Sequence, residues 1–246
     1  MSKEIKFYIT DFRDFHNIVN SPIRNKEDII KVLLFSLKNL LIKQNNEDED
    51  KGEVRIIVDR SSRIYFVCKE VGELPTKYYS FVFPFFIQQD SEGEYVIRCK
   101  TSLDVIDSEL IDKLIVLLDK GWFSDNNINS DDIDKFACDY LDEIDDYCNV
   151  KGTTYEEKSN IYISHWSIIK VLLTFEPSYL RYDYDPEYEN GESHPLNHLD
   201  IHYTSSGTFK LGFDNTVNIK DRLDFYTFKD ILENGKLRGE KCYKIK

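Results

Sequence analysis

The chain lacks the short signatures that mark nucleotide-binding, phosphate-binding and zinc enzymes. It contains no G-x-G-x-x-G, no G-x-x-x-x-G-K-[ST], no G-x-S-x-G and no H-E-x-x-H, so the glycine-rich cradles, the nucleophile elbow and the helical zinc pair are all excluded. Its five cysteines, Cys68, Cys99, Cys138, Cys148 and Cys242, form no C-x-x-C pair, which removes the common zinc and dithiol spacings. Asp125, Asn127 and Asn129 imitate the start of a calcium loop, but Ser130 replaces its glycine and Phe136 its bidentate glutamate, and the match fails. Long apolar runs are missing as well. Stretches such as Val32–Phe35 fall far short of the ~20 residues that a spanning helix needs, so no membrane partner is expected. Lys3, Glu4 and Lys6 stand where an apolar leader would begin, so the expected setting is a reducing cytoplasm with free, structural thiols.

What is present is a folding core. Of 246 residues, 41% are hydrophobic, with 16 Phe, 16 Tyr and 2 Trp, far too many aromatics for a disordered chain. Charge is unevenly spread over the net −13. Residues 101–150 hold 14 acidic groups against 3 lysines, whereas the first 43 residues are net +3 and the tail 236–246 is basic. An acidic middle repels phosphate backbones and attracts cationic surfaces. Nucleic acid is therefore expected only at a local basic patch, and a protein partner is the more natural one.

Periodicity predicts an α+β fold. Asn25 with Glu27 and Asp28 reads as a helix start, and Ile30, Leu33, Leu34, Leu37, Leu40 and Leu41 form its buried stripe to about Gln44. Val54–Val58 and Ile64–Cys68 read as a hairpin, followed by extended Tyr78–Ile87, where Pro84 demands an edge or bulge, and by Glu94–Cys99. The expectation is an antiparallel meander packed on helices. A helix around Leu110–Leu118 ends at Gly121. Ser130 caps the next, with Ile133, Phe136, Ala137, Tyr140, Leu141 and Ile144 as its core stripe. The other side of that helix carries Asp139, Asp142, Glu143, Asp145 and Asp146 among eight acids, with Lys135 as the only positive charge on it. Residues 161–174 fit a buried strand pair or a helix equally. Strands are expected at Tyr179–Asp185, His198–Tyr203 and Thr208–Phe213, and a closing helix over Ile219–Leu232. The resulting division is an α+β unit over 1–150 and a second β-rich unit over 151–246.

One segment concentrates chemistry. RYDYDP runs from Arg181 to Pro186 and HPLNHLDIH from His194 to His202, so three of the five histidines fall within nine residues. Strand side chains alternate, which puts Arg181, Asp183 and Asp185 on one face and His198, Asp200 and His202 on one face of the next strand. If the strands pair, the two polar faces adjoin. Two chemistries then stay open. His194, His198 and His202, with Asp200 and Arg181, could exchange protons in a metal-free cleavage of RNA. Alternatively, His198, Asp200 and His202 could chelate a divalent metal, with Asp183 or Asp185 completing the shell. The plain reading is a solvated strand face. His16 and His165 are isolated and read as structural or exposed.

The same segment resembles an uncharacterised bacterial family marked by R-[YF]-D-Y-D-P followed by H-P-x-x-H-L-x-I, matched here by Arg181, Asp183, Asp185, Pro186, His194, Pro195, His198, Leu199 and Ile201. The likeness covers about the last 85 residues. It implies a cytosolic protein encoded near phage-defence or mobile-element genes, and an Arg-Tyr-Asp strand before clustered histidines is similar to some small toxins. Asp200 stands where such families tend to have another histidine. Three functions follow as expectations: an antiphage accessory that binds a protein of its own system through the acidic helix; a toxin-like nuclease or phosphodiesterase built on the histidines; and an acidic mimic of DNA.

Overall fold

The computed structural model describes residues 3–42, 51–58, 62–70, 73–124, 133–190, 193–204, 207–212 and 222–233. The order is β1 (Lys3–Tyr8), α1 (Phe15–Asn20), α2 (Lys26–Leu41), β2 (Gly52–Val58), β3 (Arg63–Cys68), β4 (Lys77–Val82), β5 (Phe85–Gln89), β6 (Tyr95–Cys99) and α3 (Ser108–Asp119). Then come α4 (Ile133–Lys151), α5 (Tyr155–Thr174), β7 (Tyr179–Tyr184), β8 (Asn197–Thr204), β9 (Gly207–Gly212) and α6 (Phe225–Glu233). This is the expected α+β class. Among the described residues no helix is long and apolar enough to cross a membrane.

Seven strands form one antiparallel sheet in the order β1-β2-β3-β4-β7-β8-β9. The three strands after residue 150 therefore do not make a sheet of their own. β7 pairs with β4, placing Tyr79 opposite Arg181 and Lys77 opposite Asp183, so the sheet runs straight across the expected boundary between 150 and 151. The meander also differs in detail. Pro84 divides the extended stretch into β4 and β5, because it has no N–H to donate to a ladder. β5 and β6 leave the main sheet as a separate two-stranded ribbon. Gly52 opens β2 at φ +107°, and a Cβ there would meet the Val67 carbonyl oxygen at 2.0 Å; only glycine permits that approach.

Each face of the sheet has its own core. On one, Ile5, Val54, Ile56, Ile64, Phe66, Tyr79 and Phe81 pack under α1, α2, α3 and α5. On the other, Ile57, Tyr65, Val67, Tyr78, Leu180, Tyr182 and Leu199 pack against Leu223, Phe225 and Phe228 of the α6 region. Helix starts follow local chemistry. Asn25 and Asp28 form a reciprocal capping box on α2, Asp107 caps α3, and Thr154 with Glu157 repeats the box on α5. Gly121, at φ +77°, follows α3 as expected. Asp224 accepts the Tyr226 and Thr227 amides at 2.8 and 3.0 Å, so the closing helix starts later than the expected Ile219. Cys68, Cys99 and Cys148 are buried free thiols and Cys138 is an exposed one; burial pushes Cys68 up to about 11. Cys242, Ser130 and the basic tail lie outside the described residues.

Residues 161–174 belong to a helix. His165, Ile168, Ile169 and Leu172 are its buried positions, an i, i+3, i+4, i+7 pattern hidden in the sequence by apolar residues on the opposite side. The α4 stripe is also rotated: Ile144 and Cys148 are buried while Ala137 and Leu141 are exposed. The side chains of Ile133 and Phe136 are outside the described set.

His165 gives the fold a pH dependence. It is 3% exposed, its Nδ1 donates to the Ile161 carbonyl at 2.9 Å, and its ring meets Tyr147 edge-on at 4.7 Å. Burial lowers its pKa below 6.5, although the Ile161 carbonyl, Asp107 and Asp104 pull the other way. The folded state thus keeps this imidazole neutral where the unfolded chain binds a proton. Its stabilising effect is complete above the unfolded pKa and fades as pH falls below about 6.5, with a slope not exceeding about 1.4 kcal/mol per pH unit. Urea midpoints measured from pH 7.5 down to 5 should fall less steeply in His165→Phe than in the wild type. Parallel curves for the two proteins would refute the assignment.

Candidate functional site

The polar faces expected on β7 and β8 do adjoin. Register places Arg181 opposite Asp200, Asp183 opposite His198 and Tyr179 opposite His202. These odd positions of β7 lie on the same face as Tyr79 and Tyr179, so the cluster continues the helix-covered face beyond its apolar part. Leu180, Tyr182 and Leu199 point into the other core, which holds both strands in this parity.

Arg181 is the centre of the cluster. Its Nε donates to Asp183 Oδ2 at 2.6 Å, and its Nη2 donates to Asp200 Oδ2 across the strand pair. His198 Nε2 lies 3.4 Å from Asp183 Oδ2, and its Nδ1 donates to the Pro195 carbonyl at 3.0 Å. Burial works to raise Asp183, but the hydrogen bond from His198 and the Arg181 charge outweigh it and hold the carboxyl below its usual value. The Arg181 guanidinium, disfavoured by burial, is held firmly protonated by Asp183, Tyr179 and Asp200. His198 is only 1% exposed.

His194 and Asp185 form a second pair at 3.0 Å, just past the end of β7. Their side chains remain partly exposed, and the His194 ring meets that of His198 edge-on at 4.7 Å. Asp185 was expected to join His198 and His202 in a metal set; instead it pairs with His194, because it lies beyond the strand and its amide bonds to the Leu196 carbonyl. Of the two expected completing carboxylates it is Asp183 that joins, and Asp183, His198 and Asp200 bring their ligand atoms within 4.8 Å of one another. The His202 side chain lies outside the described residues. A cavity of about 340 Å³ adjoins the cluster, lined by Asp183, Tyr184, Asp185, Lys69, Lys77 and His16 among others. His16, isolated in the chain, is thus brought to the site by α1.

Sequence reasoning missed three supports. The Pro195 carbonyl sets the His198 tautomer. Tyr182 donates to Asn197 Oδ1 at 2.6 Å and accepts the Leu223 amide at 3.0 Å, joining β8 to the α6 region from the opposite face. An aromatic in a strand, followed by an asparagine just before the next, was the one available signal. Lys77 comes from β4, too distant in the chain to be inferred.

The acidic helix is less bare than its composition suggests. Lys120 of the α3 C-terminus pairs with Asp139 and Glu143 at 3.4 and 3.1 Å. Lys113 pairs with Glu143 at 3.6 Å and Asp146 at 2.5 Å. Lys158 of α5 meets Asp145 at 2.6 Å. Lys135 is the only positive charge of the helix's own acidic side, but neighbouring helices supply further lysines to it. Such partly exposed pairs contribute little each, but they break up the row of charge. Asp142 and Asp146 remain exposed. The same two helices also expose large apolar groups, Leu141 of α4 at 46% and Ile163 and Trp166 of α5 at 66% and 46%. The Trp166 ring packs edge-on against Tyr140 of α4 at 5.9 Å, so the two helices are in contact at this tryptophan. No protein-family model, curated protein or solved structure matches the chain.

Proposed function

We propose that the chain is a protein-binding accessory of a cytoplasmic bacterial antiphage system, and that it docks its partner on α4 and α5. The observation that carries this reading is the exposure of Trp166, Ile163 and Leu141 on a packed helix pair, of which α4 also exposes Asp142 and Asp146. Charged residues alone are an ordinary solvated face, whereas a half-exposed tryptophan and two exposed aliphatic residues on the same helix pair suit an interface with a polar rim. The partner would offer an apolar pocket for the indole with lysine or arginine at its rim. The defence setting rests on the RYDYDP and HPLNHLDIH resemblance.

The burial of His198 and the two ion pairs on Arg181 favour binding over proton-transfer catalysis, since a general acid or base must reach its substrate. Lysine pairing along α4 likewise favours a protein partner over a mimic of DNA, whose phosphate row is continuous.

Trp166→Ala is expected to weaken the complex with the purified native partner about 30-fold or more, the loss typical of a central aromatic anchor. Its effect on folding should be small, because the indole is half exposed. Asp142→Lys should chiefly slow association and reduce its salt dependence. Affinity by calorimetry that is unchanged in both variants would remove this surface from consideration.

A further inference from the structure

A second site lies on the sheet, independent of the docking surface. We infer that Asp183, His198 and Asp200 form a divalent-cation site that takes a first-row ion such as Mn²⁺ or Zn²⁺. One imidazole nitrogen and two carboxylates are a donor set suited to these ions. Their ligand atoms lie within 4.8 Å of one another. An ion about 2.1 Å from each ligand holds them no more than about 4.2 Å apart, so closing the set needs only a slight turn of the side chains.

His198 carries the inference furthest. Its Nδ1–H is committed to the Pro195 carbonyl, which leaves Nε2 turned toward Asp183 Oδ2 at 3.4 Å. In its hydrogen bond to Asp183 that nitrogen carries a proton, which a metal ion would displace. A backbone carbonyl on the far ring nitrogen is the usual outer partner of a metal-binding histidine, since it fixes tautomer and ring orientation. Arg181 performs the matching service for the carboxylates, engaging Oδ2 of each. The ion's way in is the cavity of about 340 Å³ on whose wall Asp183 sits. The site leaves further positions of the ion open to water or to an anion, and Lys77 and Lys69 on the same wall would suit a phosphate-bearing one.

The test uses the intact chain and Mn²⁺ alone. Titration followed by electron paramagnetic resonance should show one bound ion per chain, and added Mn²⁺ should raise the thermal midpoint. Asp200→Asn should bind about ten-fold more weakly or worse. Should that variant fail to fold, nuclear magnetic resonance of the wild type decides. Bound Mn²⁺ should broaden the His198 ring signals well before those of His165, which lies on α5. Absence of Mn²⁺ and Zn²⁺ binding at millimolar concentration would overturn the proposal, because the proton alone then occupies Nε2. So would undiminished affinity in folded Asp200→Asn, or broadening that spares His198, either of which places the ion elsewhere.

Discussion

Arg181→Met is expected to destabilise the fold by about 3 kcal/mol, the low end of what breaking a buried charge pair costs. The side chains of Arg181, Asp183 and Asp200 are 19%, 14% and 19% exposed, so solvent compensates only part of the loss. Without the guanidinium, Asp183 and Asp200 become two carboxylates at diagonal positions on β7 and β8 with their shared counter-charge gone. Removing the whole set should cost far less, because a matched apolar replacement leaves no charge stranded. The triple variant Arg181→Met, Asp183→Leu, Asp200→Leu is therefore expected to be more stable than the single one. Urea denaturation of the two proteins checks the ordering. A single variant within about 1 kcal/mol of wild type would mean that water already solvates these carboxylates and that the cluster is an exposed face.

Phe228→Ala should be at least as damaging, costing about 3–5 kcal/mol as for other fully buried phenylalanines. Phe228 is completely buried and stacks on Tyr78 at 5.9 Å. With Phe225, which meets Tyr65 edge-on at 5.7 Å and lies under the Arg55 guanidinium at 4.1 Å, it attaches α6 to the sheet. Nine residues make too short a helix to persist unaided. Loss of the anchor is expected to release α6 and bare Tyr65, Tyr78 and Tyr182. Hydrogen exchange at 225–233 should then accelerate more than exchange in β3 and β4. Retained protection of those amides would show that the capping by Asp224 and the Tyr182–Leu223 bond suffice to hold the helix.

The candidate site was legible in unusual detail for one reason: alternation in a strand is strict. R-Y-D-Y-D and H-L-D-I-H each assign their polar residues to one face, and Leu180, Tyr182 and Leu199 force those faces to the same side of the sheet. Which residues touch was not legible. Asp185 falls one step past β7 and turns to His194, while Arg181 claims both Asp183 and Asp200. The acid stripe of α4 was equally plain, but the lysines that answer it, Lys113, Lys120 and Lys158, lie on two other helices. Helical periodicity reports one face at a time and says nothing about its neighbour.

By itself the sequence determined the α+β class, the hairpin of β2 and β3, the capped start of α2, the glycine end of α3, and the two polar strand faces. All of these depend on interactions within a few residues, or on a repeat of 2 or 3.6 that a short window reveals. Only the tertiary structure decided that β7 joins β4 to make one sheet, that 161–174 is helical, and that Trp166 and Ile163 stay in solvent beside α4. It also decided that His198 is buried against Pro195 with Asp183 and Asp200 in reach. Those outcomes depend on which distant surfaces cover one another, where the free energy comes from burying apolar area and satisfying buried charge across the whole chain.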